Sequence, residues 1–177
     1  MPRQKVNTEK AINAILYVAN RLGTPANVYH SLKAIYYADR AHLECCGNLI
    51  YGESYSAMPA GPVPSYAYDV VKFVGGRSSW VNAPGAAEAM SADTRNIFVK
   101  KDADLDLFSQ ADLVSLEKGI DFVRTKSFAQ LKSVSHTPAY DRADPNGEMD
   151  VNEIVAELGD SQAIAAHMAD RFPGAAK

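Results

Sequence analysis

The sequence predicts an α+β fold that is predominantly α-helical, a compact helical domain with a small antiparallel β element. Two observations carry this prediction. Apolar residues recur at three- and four-residue spacing over long stretches such as 8–22 and 110–124, which is typical of amphipathic helices. Short stretches at about 49–58 and 95–100 are rich in aromatic and β-branched residues and are bounded by turn formers, which is typical of short strands.

The chain has the size and composition of one globular domain. It contains 177 residues, of which 47% are hydrophobic and 22% are charged, and a chain of this length buries a core without disulfides or metals. We expect a single domain over residues 1–172 and a flexible C-terminal tail at 173–177. The formal net charge of −3 gives no overall electrostatic footprint for nucleic acid.

The termini and the cysteines suggest a location for the protein. The first ten residues lack the apolar core of a signal peptide, and no run approaches the roughly 18 apolar residues of a membrane span. Cys45 and Cys46 are adjacent on a predicted helix, where we expect them to remain unpaired. We therefore predict a cytoplasmic protein in a reducing compartment, with no membrane partner.

Helical periods and capping residues predict three helices in the first half of the chain, at 8–22, 25–46 and 65–74. Thr24 would cap the second helix with Pro25 in its first turn, and Ser65 would cap the third. Two prolines within 61–64 fix a rigid corner before the third helix. The β-leaning segments at 49–58 could form a hairpin or pair with the strand at 95–100.

The second half of the chain is predicted to be a loop and a strand followed by helices. Residues 77–93 show no clean period and are predicted to be a loop. Helices are expected at about 110–124, 127–134, 138–142, 150–158 and 160–172. The first two of these begin with capping-box pairs, Ser109 with Asp112 and Ser127 with Gln130.

Tyrosines are concentrated between residues 28 and 74, where seven of the nine in the chain lie. Tyrosine offers a large, stiff and amphipathic contact area, and it is enriched at protein interfaces. Tyr36 and Tyr66 fall on apolar helix faces, whereas Tyr37 and Tyr68 fall beside charged residues. This pattern is compatible with a core, a pocket or a docking face.

No motif in the chain predicts an active site. His42 lies three and four residues before the cysteines, but zinc needs three or four ligands, and no phosphate-binding glycine motif is present. The cysteines lie near a helix C-terminus, where the dipole disfavours a thiolate. We therefore predict no enzyme activity, no metal and no cofactor, and a small hydrolase is the weakest alternative.

A helix-turn-helix-like DNA-binding regulator that represses its own gene is the other alternative. The predicted helices at 110–124 and 127–134 are joined by a short turn, and Lys132, His136 and Arg142 follow. A second helix with a single lysine is a poor reader of base edges. This pattern therefore favours an ordinary helical hairpin over nucleic-acid binding.

Three segments of the chain form a combined pattern. Residues 33–39 read KAIYYAD and are followed by Gly47, residues 55–66 read YSAMPAGPVPSY, and residues 135–140 read SHTPAY. In combination they resemble the SocA-like antitoxin family, whose shared module is the Panacea domain, and the resemblance covers about residues 8–143. The residues that match the family pattern, to which we assign structural roles, are Tyr36, Ala38, Asp39, Gly47, Gly61, Val63, His136, Pro138 and Tyr140.

The resemblance implies an antitoxin of a bacterial toxin–antitoxin pair, which neutralises a cognate protein toxin by binding it. The founding member also looks like an adaptor that hands its toxin to the ClpXP protease, so ClpXP is a second expected partner. We expect the corner at 61–64 and the end of the second helix to shape a toxin-binding groove that Tyr37, Tyr55 and Tyr68 line. The residues expected to contact the toxin are Lys33, Tyr37, Arg40, Tyr55, Met58, Pro62, Pro64, Tyr68 and Lys72. The identity of the toxin and the oligomeric state stay open.

Overall fold

The computed structural model of the chain describes residues 5–79 and 81–171. The predicted tail at 173–177 and the predicted domain end at residue 172 lie outside these residues. Within them the fold is α+β and mostly helical, which confirms the predicted fold class. No helix of the described residues is long and apolar enough to cross a membrane.

The helices of the described residues are α1 (Thr8–Leu22), α2 (Val28–Cys46), α3 (Ser65–Val74), α4 (Ala86–Ala89), α5 (Gln110–Arg124), α6 (Phe128–Ser135), α7 (Pro138–Asp141), α8 (Val151–Ala156) and α9 (Ser161–Arg171). The strands are β1 (Ala26–Asn27), β2 (Tyr55–Met58), β3 (Gly61–Pro64), β4 (Met90–Ala92) and β5 (Asn96–Val99). They form a three-stranded sheet in the order β1-β5-β4 and a separate β2–β3 hairpin, both antiparallel.

Helix α2 is the central element, and α5 packs directly along it. The two backbones approach at Gly119, where a Cβ atom would lie 2.2 Å from the carbonyl oxygen of Ala34 and 2.7 Å from the amide nitrogen of Ala38. Ala34 and Ala38 are fully buried. Small residues on both helices therefore permit this close crossing and bury the middle of α2.

The three-stranded sheet differs from the predicted β pairing. Strand β5 pairs with β1 and β4, in the register Ala26↔Ile97 and Met90↔Val99, and not with the segment at 49–58. The prediction missed β1 and β4 because strands of two and three residues carry almost no periodic signal. Helix α2 consequently starts at Val28, and its N-cap is Asn27, whose side-chain oxygen accepts from the amide of His30.

The β2–β3 hairpin also differs from the prediction. Residues 61–64 were expected to form a corner, but they form strand β3, which pairs with β2 in the register Ser56↔Val63. Proline is compatible with an edge strand because its fixed φ lies in the extended range and an edge needs fewer donors. Residues 49–51, expected to be extended, are not part of a strand.

The helices of the second half follow the sequence signals closely. Both predicted capping boxes are present, with reciprocal bonds between Ser109 and Asp112 and between Ser127 and Gln130. The predicted loop at 77–93 contains α4 and β4 instead. The short segments fold this way because Ala86, Ala89 and Met90 are buried.

The cysteines are the clearest local difference. Cys45 and Cys46, expected to remain unpaired, form a disulfide between neighbouring residues. The expectation assumed regular helical geometry, but α2 ends at Cys46, immediately before the left-handed residue Gly47. The cysteines therefore give no support to the inference of a reducing compartment.

Candidate functional site

The candidate site is built on the contact between α2 and the β2–β3 hairpin. Lys33 is only 1% exposed, and its Nζ donates to the carbonyl oxygen of Pro62 at 2.7 Å. The same ammonium lies 5.3 Å from the ring centroid of Tyr29. Burial lowers the pKa of Lys33 to about 7. Lys33 thus fastens the outer edge of β3 to α2.

Tyr36 and Asp39 continue this contact one and two turns further along α2. The ring of Tyr36 packs edge-on against Tyr55 at a centroid distance of 5.1 Å. Asp39 accepts a short hydrogen bond from the hydroxyl of Tyr55 and a 2.8 Å bond from the amide of Ile50. Burial raises the pKa of Asp39 to about 7. Together these residues hold β2, and the segment around Ile50 that precedes it, against α2.

Glu53 is a buried residue that the sequence analysis missed. Its carboxylate accepts from the amides of Tyr66 and Ala67 at 2.9 and 3.0 Å, and from the hydroxyl of Tyr51 at 2.9 Å. It therefore caps α3, whereas the expected cap, Ser65, has its hydroxyl at 2.9 Å from that of Ser56. A lone acid in an apolar, aromatic-rich stretch was the only available signal.

The segment that reads SHTPAY holds the other side of the hairpin. Gly61 has a φ of +94°, and a Cβ atom there would lie 2.2 Å from Oγ of Ser135 and 2.7 Å from Nζ of Lys33. The rings of His136 and Tyr140 stack at 4.2 Å, and the hydroxyl of Tyr140 donates to the carbonyl oxygen of Met58 at 2.9 Å. Gly61 is therefore required by both its conformation and its surroundings.

Both edges of the hairpin are occupied. Along β2, Ala57 exchanges backbone hydrogen bonds with Asn146 and Gly147, each at 2.9 Å. Along β3, Pro62 and Pro64 carry no amide hydrogen, and the carbonyl of Pro62 already accepts from Lys33. An additional strand therefore cannot pair with β3. A partner must use side chains on the hairpin face.

Four of the residues expected to contact a toxin are buried. They are Lys33, Tyr55, Pro62 and Pro64. The expected groove of Tyr37, Tyr55 and Tyr68 does not form, because Tyr55 is turned inward to Asp39 and only 1% exposed. Strand alternation shows that 55 and 57 share a face, but it does not tell which face is inside.

Two more of the expected contacts are engaged within the protein. The ring of Tyr37 packs on Phe122 with centroids 3.9 Å apart. Arg40 is partly buried and pairs with Glu157 at 2.7 Å. Burial is the largest cause of the raised pKa of Tyr37. These two side chains join α2 to α5 and to Glu157, the residue that follows α8, and they are not grouped with the hairpin.

The remaining three expected contacts come together. Met58, Tyr68 and Lys72 line one cleft of about 200 Å³, with Val63 and Asn146 among its other walls. The ammonium of Lys72 lies 4.7 Å from the ring centroid of Tyr68. We call this cleft, lined by Met58, Val63, Tyr68, Lys72 and Asn146, the hairpin cleft. It joins a β2–β3 side-chain face to the exposed side of α3.

Two larger cavities share lining residues with the hairpin cleft. The cavity of about 750 Å³ between α3 and the segment 148–151 contains Glu53, but the oxygens of that carboxylate already accept four hydrogen bonds. A cleft of about 260 Å³ is lined by Asn146 together with Pro59 and Tyr140. It extends the surface around the hairpin tip.

The side chains around His42 do not form a nucleophilic site. Both ring nitrogens of His42 face acceptors, the carbonyl oxygen of Asn48 at 2.7 Å and the carboxylate of Asp112 at 3.2 Å. Ser109 donates to Asp112 and not to the histidine, so the order needed to activate a serine is missing. Among the described residues, no group of three His, Cys, Asp or Glu residues is arranged to hold a metal.

The α5–α6 pair has the connectivity of a helix-turn-helix but not its chemistry. Phe128 and Val134 are the large apolar residues that α6 exposes. Gln130 is engaged in the capping box and is not available to read a base. Lys132 is the only cationic residue of α6. Such a face offers no set of donors and acceptors for base edges.

The comparison with known families agrees with this arrangement. A family model described as "Antitoxin SocA-like, Panacea domain" matches residues 32–140, which is more than half of the chain. The chain therefore belongs to the SocA-like antitoxin family. Neither a curated protein nor a solved structure matches it. The matched residues run from within α2 to within α7, and they contain the hairpin together with Lys33, Tyr36 and Asp39.

Proposed function

We propose that this protein is an antitoxin that binds and neutralises a cognate protein toxin through the hairpin cleft. Family membership supports a toxin–antitoxin role. The observation that carries the contact site is that Met58, Tyr68 and Lys72 converge on one cleft. The proposal keeps these three residues and no longer includes the buried Lys33, Tyr55 and prolines.

The rigidity of the hairpin supports this choice of surface. Its two strands are fixed by Lys33, Asp39 and Tyr140, so little ordering entropy would be lost on binding. Methionine and tyrosine are enriched at interface centres, and an aromatic side chain in a well-packed pocket dominates binding free energy. A toxin side chain inserted between Met58 and Tyr68 would make such a contact.

The test is co-expression with the open reading frame beside the gene of this protein. We expect the neighbour to arrest growth alone and the wild-type chain to restore it. Met58→Asp combined with Tyr68→Ala should abolish the rescue and weaken binding at least tenfold, about 1.4 kcal/mol. The matched control is Phe98→Ser, which removes an exposed aromatic residue outside the cleft.

Two outcomes would contradict the proposal at different levels. A neighbour that is harmless alone removes the antitoxin role for this pair. Full rescue by the folded double variant removes the hairpin cleft as the contact site but leaves the role intact. Circular dichroism of each variant establishes that the fold is retained.

The mode of neutralisation is a further part of the proposal. If the protein delivers the toxin to ClpXP, purified ClpXP with ATP should degrade the toxin faster when this protein is present. This protein itself should persist. If it acts by occlusion, the toxin should be degraded more slowly in the complex. Pulse-chase measurements with and without the protease distinguish the two.

A further inference from the structure

The cavity of about 750 Å³ beside α3 has in its wall a buried carboxylate without a cationic partner. Glu53 is only 3% exposed. Four hydrogen bonds reach its oxygens, and a neutral group donates each of them: the amides of Ser54, Tyr66 and Ala67 and the hydroxyl of Tyr51. These donors favour the ionised form. No lysine, arginine or histidine in the described part of the chain forms an ion pair with it.

Dipoles offset only part of the charge of Glu53. The amides of Tyr66 and Ala67 lie in the first turn of α3, and the positive end of a helix is equivalent to about half an elementary charge. Buried carboxylates are as a rule paired with a cation. Burial raises the pKa of Glu53, as expected for a charge that is not fully compensated. The cavity therefore has a negative potential.

The other walls of the cavity suit a side chain that is partly apolar and ends in a cation. Asp150, an exposed residue, also lines the cavity and forms no ion pair among the described residues. Asp69 already pairs with Lys72, and Lys5 is the cationic residue among those that line the cavity. The apolar lining residues are Val6, Leu49, Met149 and Val151.

We propose that this cavity, which we call the Glu53 cavity, receives an arginine side chain of the toxin. The proposal rests on the proposed function, since it takes the toxin as the partner. The guanidinium supplies the countercharge and donates to Asp150, while its stem packs on the apolar walls. Arginine suits this place better than lysine because a guanidinium is more weakly hydrated than an ammonium.

The Glu53 cavity and the hairpin cleft are continuous. Ser65 and Asp69 line both of them, so one segment of the toxin reaches both. An apolar side chain of that segment fills the hairpin cleft, and an arginine nearby enters the Glu53 cavity. The toxin segment is therefore expected to combine apolar and basic residues.

A metal ion is a competing occupant, and the structure disfavours it. Within the described residues, no three His, Cys, Asp or Glu side chains are arranged to hold a metal. The oxygens of Glu53 are already engaged in four hydrogen bonds, so they are not available as ligands. A guanidinium needs no direct bond to Glu53, because charges interact over several ångströms where the dielectric constant is low.

The experiment measures fluorescence anisotropy of a labelled, end-blocked hexapeptide of alternating arginines and leucines with the full-length protein. One matched peptide replaces arginine by citrulline, which keeps the shape and removes the charge, and another replaces leucine by serine. We expect saturable binding of the arginine peptide that weakens with salt. The citrulline peptide should bind at least about tenfold more weakly, and the serine peptide should also bind more weakly. Calcium chloride and sodium chloride at equal ionic strength should have equal effects.

Protein variants then locate the binding. Asp150→Asn keeps an N-cap on α8, since asparagine caps as well as aspartate, and it should raise the Kd severalfold by removing a charge. Lys5→Gln should lower the Kd, because it removes a repelling charge from the cavity. The controls Asp106→Asn and Lys118→Gln remove the same charges from exposed positions elsewhere and should leave the Kd unchanged.

Several results would overturn the proposal. These are absence of binding, equal affinity for the citrulline peptide, and equal effects of the cavity variants and their controls. Stronger competition by calcium would indicate a metal site, and binding only by a chain that lacks residues 2–4 would indicate that the protein's own N-terminal segment competes for the cavity. Either would also overturn it.

The peptide measurements do not depend on the neighbouring open reading frame. Missing peptide binding removes the Glu53 cavity as an arginine site but leaves the antitoxin role and the hairpin cleft intact. A neighbour that is harmless alone removes the toxin as the source of the arginine, whereas the preference of the cavity for arginine over citrulline remains. The two failures are therefore distinguishable.

Discussion

At the scale of single residues, Lys33 shows how burial changes the role of a charged side chain. Its position next to tyrosines on α2 suggested a toxin contact, but its ammonium is enclosed and donates to Pro62. Desolvation is the cause of its lowered pKa, and no carboxylate compensates it. A buried, unpaired cation makes the stability of the fold sensitive to pH.

The first prediction concerns this pH dependence. The pKa of Lys33 is about 7 in the folded protein and 10.5 in the unfolded chain. Between these values the native state binds fewer protons than the unfolded state, so the contribution of Lys33 to the free energy of unfolding rises with pH. The slope is at most about 1.4 kcal/mol per pH unit. Urea unfolding from neutral pH to about pH 9 should show this rise in the wild type but not in Lys33→Met.

A control variant separates the buried lysine from other titrating groups. Lys118 is an exposed lysine on α5. Lys118→Met therefore removes one positive charge, as Lys33→Met does, but from the surface and not from the interior. This variant should keep the wild-type pH profile. Parallel profiles of Lys33→Met and the wild type over the same interval would show that Lys33 is not buried as an uncompensated cation.

At the scale of elements, the second prediction concerns the close contact between the β2–β3 hairpin and α6. Gly61→Ala places a Cβ atom against Ser135 and Lys33 in a backbone of positive φ, whereas Gly76 has a φ of +67° and nothing within 4 Å of a Cβ. Gly76→Ala should therefore cost only the left-handed penalty of about 1–2 kcal/mol, and Gly61→Ala should cost more. Equilibrium urea unfolding measures both changes.

The double variant Gly61→Ala with Ser135→Ala distinguishes the collision from the backbone strain. Removing Oγ of Ser135 frees part of the space, so the double variant should be more stable than the sum of the two single changes predicts. Strict additivity would mean that the hairpin moves away from α6 without resistance. Equal costs at Gly61 and Gly76 would lead to the same conclusion.

Elements differ in how far the sequence determines them. Helices α5 and α6 were predicted within one residue because their capping boxes and apolar periods are local. Strands β1 and β4 are set by contacts with β5 across the chain, so no local pattern indicates them. Glu53 caps a helix that begins twelve residues later. Contacts of this kind depend on tertiary folding.

The candidate site shows the same division. The residues Met58, Tyr68 and Lys72 were predicted from composition and family pattern, and the structure brings them into one cleft. Tyr55 came from the same reasoning but is buried. A period of two identifies which strand residues share a face, whereas the covering elements decide which face meets solvent. Here α2 covers the Tyr55 face.

At the scale of the whole molecule, two hydrophobic clusters share helix α2. The larger one joins α1, α2, α3 and α5. The second contains Tyr36, Leu43 and Tyr55 together with residues of the C-terminal segment, which are Met149, Ile154, Val155, Ile164 and Met168. The family match ends at residue 140. Residues beyond the matched region therefore complete the packing around the hairpin, and the expectation of a single domain requires that both clusters unfold together.

The third prediction tests this cooperativity. Ile154 is 1% exposed in the second cluster, and Ile154→Ala should destabilise the protein by about 2–5 kcal/mol through lost burial and a cavity. If the chain is one cooperative domain, far-ultraviolet and tyrosine near-ultraviolet circular dichroism should give coincident urea transitions, both shifted to lower urea. Val114→Ala, at an exposed apolar residue, should shift neither transition.

If Ile154→Ala shifted only the near-ultraviolet transition, the second cluster would be a separate unit. The hairpin would then be rigid only while that unit stays folded, because Tyr36 and Tyr55 belong to it.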